Sequence, residues 1–184
     1  MRRNDSDTHY ENIFDRHVNF RERVIYLNDD IDDISLDLFQ KALDELERDK
    51  DKPIKIEVSS YGGEVYDMLG MVDRVRSSPC HIITRGFGKI MSAATFILAA
   101  GDERIMSKNS WFMIHQASDW IGGTVSEIKV EYKHLETLEN QMNKLLEELS
   151  GKKTSAKTFE KMSSKDCYLN AEEVLELGLI DGIL

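Results

Sequence analysis

A hydroxyl, an imidazole, a carboxylate and a pair of glycines in this chain could together carry acyl-transfer chemistry. Ser92 stands at the front edge of the apolar run in "GKIMSAATFILAAG" (88–101). A serine at the head of a buried helix lies where free N–H groups and the helix dipole favour developing negative charge. Gly62-Gly63 ends a strand-like run, where the missing side chains let backbone approach a substrate closely. His115 follows the apolar run "WFMI", and Asp166 precedes "CYL" near the C-terminus. A nucleophile, a base beside it, a group orienting the base and donors for an oxyanion are what such chemistry requires. Each residue also has a plainer reading. Serine is common in a first helical turn, a histidine at a strand end is more often structural, and a Gly-Gly pair usually only turns the chain. Asp166 could start a local turn.

The elements that must position these groups alternate between two periods. "RVIYLN" (23–28) reads as a strand. "DISLDLFQKALDELERDK" (33–50) reads as an amphipathic helix with Leu36, Phe39, Leu43 and Leu46 on one face. Pro53 opens the strand "IKIEVSS" (54–60), and the next helix turns Val65, Leu69, Val72 and Val75 inward. A strand at 80–86, the buried helix from Met91 to Ala100 and strands within 103–107 and 110–116 follow. Strands alternating with helices imply an α/β domain of βαβ units with mostly parallel pairing. A long helix is expected from Val125 to Ser150, with Leu135, Leu138, Met142, Leu145 and Leu149 spaced alternately three and four. That seam resembles a coiled coil, or a helix docked on its own domain. A short helix at 155–162, a strand at "CYL", a helix at 171–178 ending on Gly178 and a last strand close the chain.

Composition narrows the function. The chain has 184 residues, 41% hydrophobic and 32% charged, as in a globular protein with a sizeable core. A net charge of −10 repels phosphate, so neither nucleic acid nor an anionic membrane is an expected partner. The run from Met91 is too short to span a bilayer, and the polar opening "MRRNDSDTHYENIF" does not read as a signal peptide. Cys80 and Cys167 lack metal-ligand spacing and read as reduced thiols, so a cytoplasmic location is expected. No metal or other cofactor is expected.

Taken in order, "SSYGGEVYDMLGMVDRV", "GKIMSAATFILAAG", "WFMIHQ" and "KDCYLNAEEVLELGLIDGIL" resemble the proteolytic subunit of the Clp proteases, from about residue 10 to Leu184. The resemblance implies a serine endopeptidase with Ser92 as nucleophile, His115 as general base and Asp166 as its orienter. It implies an oxyanion hole from the N–H groups of Gly63 and Ala93, with Gly62 beside it. The implied fold is a crotonase-like superhelix of one domain (1–184), with an N-terminal segment at 1–20 and a protruding strand-helix handle at 117–150. Ile121, Gly122 and Gly123 would form an edge strand that pairs with substrate backbone. Leu135, Leu138 and Met142 would face another subunit. The implied assembly is two stacked heptameric rings enclosing a chamber for polypeptide substrates, fed by an ATPase unfoldase.

The chain departs from the family pattern at several positions. Tyr61 stands where proline is usual, Ala93 and Ala94 follow the nucleophile in place of methionine and glycine, and Lys165 replaces an arginine before Asp166. Lysine is a weaker fork than arginine for bidentate pairing. Three competing readings are a catalytically inactive ring subunit, a crotonase-like acyl-CoA enzyme and a Ser–Lys dyad hydrolase using Lys89. The first should have lost triad members, the second should use glutamates and a CoA site, and the third leaves His115 and Asp166 without a role.

Overall fold

The computed structural model describes residues 17–184, so the expected N-terminal segment at 1–20 lies largely outside the described residues. A short antiparallel pair, β1 (Val18–Asn19) and β2 (Val24–Leu27), opens the description. Helix α1 (Asp33–Leu46) starts in a reciprocal cap: Ser35 N–H donates to Asp32 Oδ1, and Asp32 N–H donates to Ser35 Oγ, each at 2.8 Å. It buries Phe39, Ala42, Leu43 and Leu46, and stops at Leu46 rather than Lys50. The Arg23 guanidinium accounts for the early stop. It donates to the carbonyls of Asp49, Lys52 and Pro53 at 3.0–3.1 Å and holds that stretch out of the helix.

Strand β3 (Ile54–Ser60) buries Ile54, Ile56, Val58 and Ser60 in strict alternation, the period expected of a strand facing one core. Helix α2 (Val65–Ser77) buries Met68, Met71, Val72 and Val75, while Val65 and Leu69 pack at the core's margin. Strand β4 (Ile82–Met91) runs well beyond the expected 80–86. Helix α3 (Ala93–Ala99) is buried at every residue. The apolar run from Met91 is therefore divided between the end of a strand and a helix, with Ser92 at the joint.

The remaining elements are β5 (Glu103–Met106), β6 (Trp111–Ile114), α4 (Val125–Leu149), α5 (Ala156–Ser163), β7 (Cys167–Leu169), α6 (Ala171–Leu177) and β8 (Gly182–Ile183). The sheet runs β1-β2-β3-β4-β5-β8, parallel except at β1/β2, and it branches. The first half of β4 pairs with β5, and its last residues, Lys89–Met91, pair in parallel with β6. β6 in turn pairs antiparallel with β7. This is the mixed α/β architecture the sequence implied. One contiguous apolar core links α1, α2, α3, the sheet and the C-terminal half of α4.

Arg104 fastens the C-terminal elements to the sheet. It forks onto the Asp181 carboxylate at 2.9 and 2.5 Å and donates to the carbonyls of Leu149 and Gly178. Helix α4 is thereby anchored at its end, while its beginning extends away from the core. Trp120, Val125, Val130 and Tyr132 are all exposed there. Met142 differs from the expectation of an outward seam: it is 7% exposed, packed into the chain's own core. The three-and-four spacing turns Leu146 and Leu149 inward with it, and leaves Leu135 and Leu138 half-buried.

Candidate active site

The branch of the sheet brings the candidate residues together. Met91 pairs with Met113, and Ser92 N–H donates to Met113 O at 2.8 Å, which sets the end of β4 beside the end of β6. Ile114 pairs with Cys167 across the antiparallel β6/β7 ladder. One step further along the same register, His115 faces Asp166. The three side chains, far apart in sequence, thus meet where three strand ends meet. His115 Nε2 lies 2.7 Å from Ser92 Oγ, and His115 Nδ1 lies 3.7 Å from Asp166 Oδ1. The first is a hydrogen bond. The second is an ion-pair distance, beyond direct hydrogen bonding. Asp166 is 62% exposed at its side chain, and His115 is 33% exposed.

Ser92 adopts φ 53° and ψ −124°, a backbone conformation uncommon for a residue with a side chain. Such a conformation costs roughly 1–3 kcal/mol and persists where the surroundings over-determine it. Here Ser92 N–H is held by Met113 O, and Ser92 O accepts from both Thr95 N–H and Thr95 Oγ1. A strand-to-helix turn strained in this way pushes a hydroxyl out of the fold toward solvent, as in a nucleophile elbow.

The glycine pair is wedged against this turn. The Ser60 hydroxyl accepts from Gly62 N–H at 3.0 Å and donates to Asp29 O at 2.7 Å. Ile31 N–H donates to Gly62 O and Glu64 N–H donates to Ile31 O, closing the other side. Gly62 has φ +103°, and a Cβ there would lie 2.7 Å from Ser92 Cβ and 2.9 Å from Ala93 N. Gly63 has φ +154°, and a Cβ there would lie 2.0 Å from Ile31 O. Side chains at these positions would thus collide with backbone on both sides. Among the described residues, neither Gly63 N–H nor Ala93 N–H donates to a protein acceptor.

Ser92, Ala93, Gly63 and His115 line a cleft whose wall is otherwise largely apolar: Val65, Met68, Phe96, Ile114, Met142 and Leu146. Gln116, Glu139, Asn143 and Ser163 add polar groups to it. Phe96, Asn143, Glu139 and Ser163 are not among the residues that the sequence pattern marks. Phe96 could have been found one helical turn beyond Ser92. Glu139 and Asn143 come from the distant α4 and carried no local signal.

Other expected residues fall elsewhere. Among the described residues, Ile121, Gly122 and Gly123 belong to no strand. Lys89 does not approach Ser92 as a dyad base would; its ammonium lies over the Tyr61 ring at 4.8 Å, while Ser92 Oγ is engaged by His115. Cys167 is next to Asp166, but burial and the Glu173 carboxylate push its thiol above the ordinary range. It is therefore protonated at neutral pH and a poor rival nucleophile. No helix among the described residues is long and apolar enough to cross a membrane.

Comparison with known proteins bears on the family. The profile of the Clp protease family matches residues 6–184. The chain is 32% identical to the ATP-dependent Clp protease proteolytic subunit 2 of Corynebacterium efficiens, over 94% of this chain and 86% of that protein. It is 28% identical to proteolytic subunit 1 of Corynebacterium jeikeium, over 98% and 95% of the two chains. With proteolytic subunit 1 of Prochlorococcus marinus it shares 33% identity, over 95% and 90%. A family match across nearly the whole chain, on a mixed α/β fold, leads to one conclusion: this chain belongs to the Clp protease family.

Proposed function

We propose that the chain is a serine endopeptidase that cleaves unfolded polypeptides or short peptides through Ser92, His115 and Asp166. The observation that carries the reading is the 2.7 Å contact between Ser92 Oγ and His115 Nε2, at a strained turn flanked by two unpaired amides. With His115 neutral and its proton on Nδ1, the Ser92 hydroxyl donates to Nε2. Attack on a peptide carbonyl transfers that proton to His115 as the new C–O bond forms. The oxyanion is received by Gly63 N–H and Ala93 N–H, a kind of donor worth roughly 3–4 kcal/mol in kcat in a comparable hydrolase. The imidazolium then protonates the leaving amine, and water, activated by the same ring, hydrolyses the acyl-enzyme. Asp166 favours the productive tautomer and steadies the imidazolium. The apolar wall formed by Met68, Phe96, Met142 and Leu146 suits an apolar substrate side chain.

The relatives' names carry the words "ATP-dependent" and "proteolytic subunit". Those words support a subunit of an ATP-dependent assembly, and the family resemblance extends the reading to two stacked heptameric rings fed by an ATPase unfoldase in the cytoplasm. The exposed apolar residues of the handle and half-buried Leu135 and Leu138 are its contact surface. The segment 121–123 would then gain its strand partner from substrate backbone. A second reading, an inactive ring subunit, is favoured by one observation: His115 and Asp166 stand 3.7 Å apart. A fluorophosphonate probe decides between them. Labelling confined to Ser92 is expected, and Ser92→Ala should abolish labelling and lower peptide turnover roughly 10⁴- to 10⁶-fold. An unlabelled wild-type protein, with or without an ATPase partner, would leave the inactive subunit as the correct reading.

A further inference from the structure

Glu139 has no part in the chemistry above, yet its carboxylate lies in the wall of the same cleft. Donors from three segments converge on it. Ala117 N–H donates to Oε2 at 3.0 Å, Asn143 Nδ2 donates to Oε1 at 3.3 Å, and Ser163 Oγ donates to Oε1 at 3.5 Å. Asn143 and Ser163 are buried. Ala117 lies just beyond His115, Ser163 ends α5 just before Asp166, and Glu139 itself belongs to α4. The β6/β7 ladder ends at Ile114 and Cys167, so His115 and Asp166 both sit past the last paired residues. The backbone beyond His115 is next fastened to another element at Ala117 N–H, through Glu139.

Both carboxylate oxygens accept from protein donors, so the group ties neighbouring segments together. We propose that Glu139 is a positioning residue for the triad. It ties the backbone after His115 and the end of α5 to the handle helix, so that the placement of α4 governs how closely Asp166 approaches His115. The proposal rests on the serine-peptidase reading, and Glu139 acts only through His115 and Asp166. A base or orienter displaced by about 1 Å can cost of order 10²-fold in rate, which is the scale on which such a tie matters.

The test compares full-length wild type with Glu139→Gln, Glu139→Ala and Glu139→Asp. Three readouts are taken: kcat and KM on a short fluorogenic peptide, the rate of fluorophosphonate labelling at Ser92, and hydrogen exchange in the peptide covering 115–120. Glu139→Gln keeps a carbonyl to accept from Ala117 N–H, and the Asn143 amide can turn to meet its NH₂, so wild-type behaviour is expected. Glu139→Ala should lower kcat and labelling together by roughly 10- to 100-fold, with KM little changed and exchange at 115–120 faster. Glu139→Asp, one methylene shorter, should fall between and serves if the alanine variant does not fold. Wild-type kcat in a folded Glu139→Ala protein would overturn the proposal. So would a raised KM at unchanged kcat, or a Gln variant as impaired as the Ala variant. If wild type is itself not labelled, the peptidase reading fails first. If wild type is labelled and Glu139→Ala is unaffected, only the positioning role fails.

Discussion

The backbone of Ser92 offers a test that separates folding from chemistry. Ser92→Gly and Ser92→Ala both delete the hydroxyl and its contact with His115, so both should be inactive and unlabelled. They differ in what they do at φ 53°. Alanine keeps a Cβ and retains the strain, whereas glycine visits that region freely. Relief of roughly 1–3 kcal/mol of strain is opposed by about 0.5–1 kcal/mol of extra chain entropy lost by glycine on folding. Taking mid-range values, about 2 kcal/mol of relief against about 0.75 kcal/mol of entropy, the glycine variant should be more stable than the alanine variant by about 1 kcal/mol. For a chain of 184 residues that corresponds to roughly 2–4 °C in Tm. Denaturant melts at one fixed protein concentration would measure it, since any assembly makes apparent stability concentration-dependent. Equal stability of the two variants, or a less stable glycine variant, would refute the claim that the fold stores strain at the nucleophile.

Gly63→Ala drives a Cβ against Ile31 O and must move the Gly63 amide, so peptide turnover should fall at least about 10²-fold, and an unchanged kcat would remove that amide from the proposed oxyanion site. Arg104→Met leaves the carbonyls of Leu149 and Gly178 without their charged donor and should cost about 3 kcal/mol of stability, read from denaturant melts. The Arg104 guanidinium holds the Asp181 carboxyl below the usual range. Its contribution is therefore complete above an unfolded carboxylate value of about 3.9 and is lost as pH falls through the lower folded value; Asp181→Asn should lack that part of the acid-induced loss. Burial and Glu173 raise the Cys167 thiol, so its alkylation by iodoacetamide should be slow at pH 7 and accelerate only in alkaline solution; rapid labelling at neutral pH would contradict that environment. Val130→Glu and Leu138→Glu, on the outer stretch of α4, should yield smaller species by light scattering with the subunit still folded, whereas Met142→Glu should disrupt the subunit itself because that side chain is buried in it.

Much of this protein is legible in one dimension. The alternation in Ile54, Ile56 and Val58 specifies a strand, and the spacing of Phe39, Leu43 and Leu46 specifies a helix, because each pattern matches the period of a single element facing one core. The residue types of Ser92, His115, Asp166 and the glycine pair, in their order along the chain, already pointed to acyl transfer and to the family. Where an element begins or ends was less accessible. The apolar run from Met91 holds a strand end and a helix with a strained serine between them, and hydrophobicity alone does not mark that joint. The stop of α1 at Leu46 depends on Arg23, which is remote in sequence. Tertiary structure alone decided that α4 turns Met142 inward beside the nucleophile, and that Glu139 gathers donors from segments before and after it. It also decided that His115 rests 2.7 Å from Ser92 yet 3.7 Å from Asp166. Periodicity records which face of one element is apolar, whereas those distances depend on how the branched sheet registers β4, β6 and β7 against each other and how α4 docks over their ends.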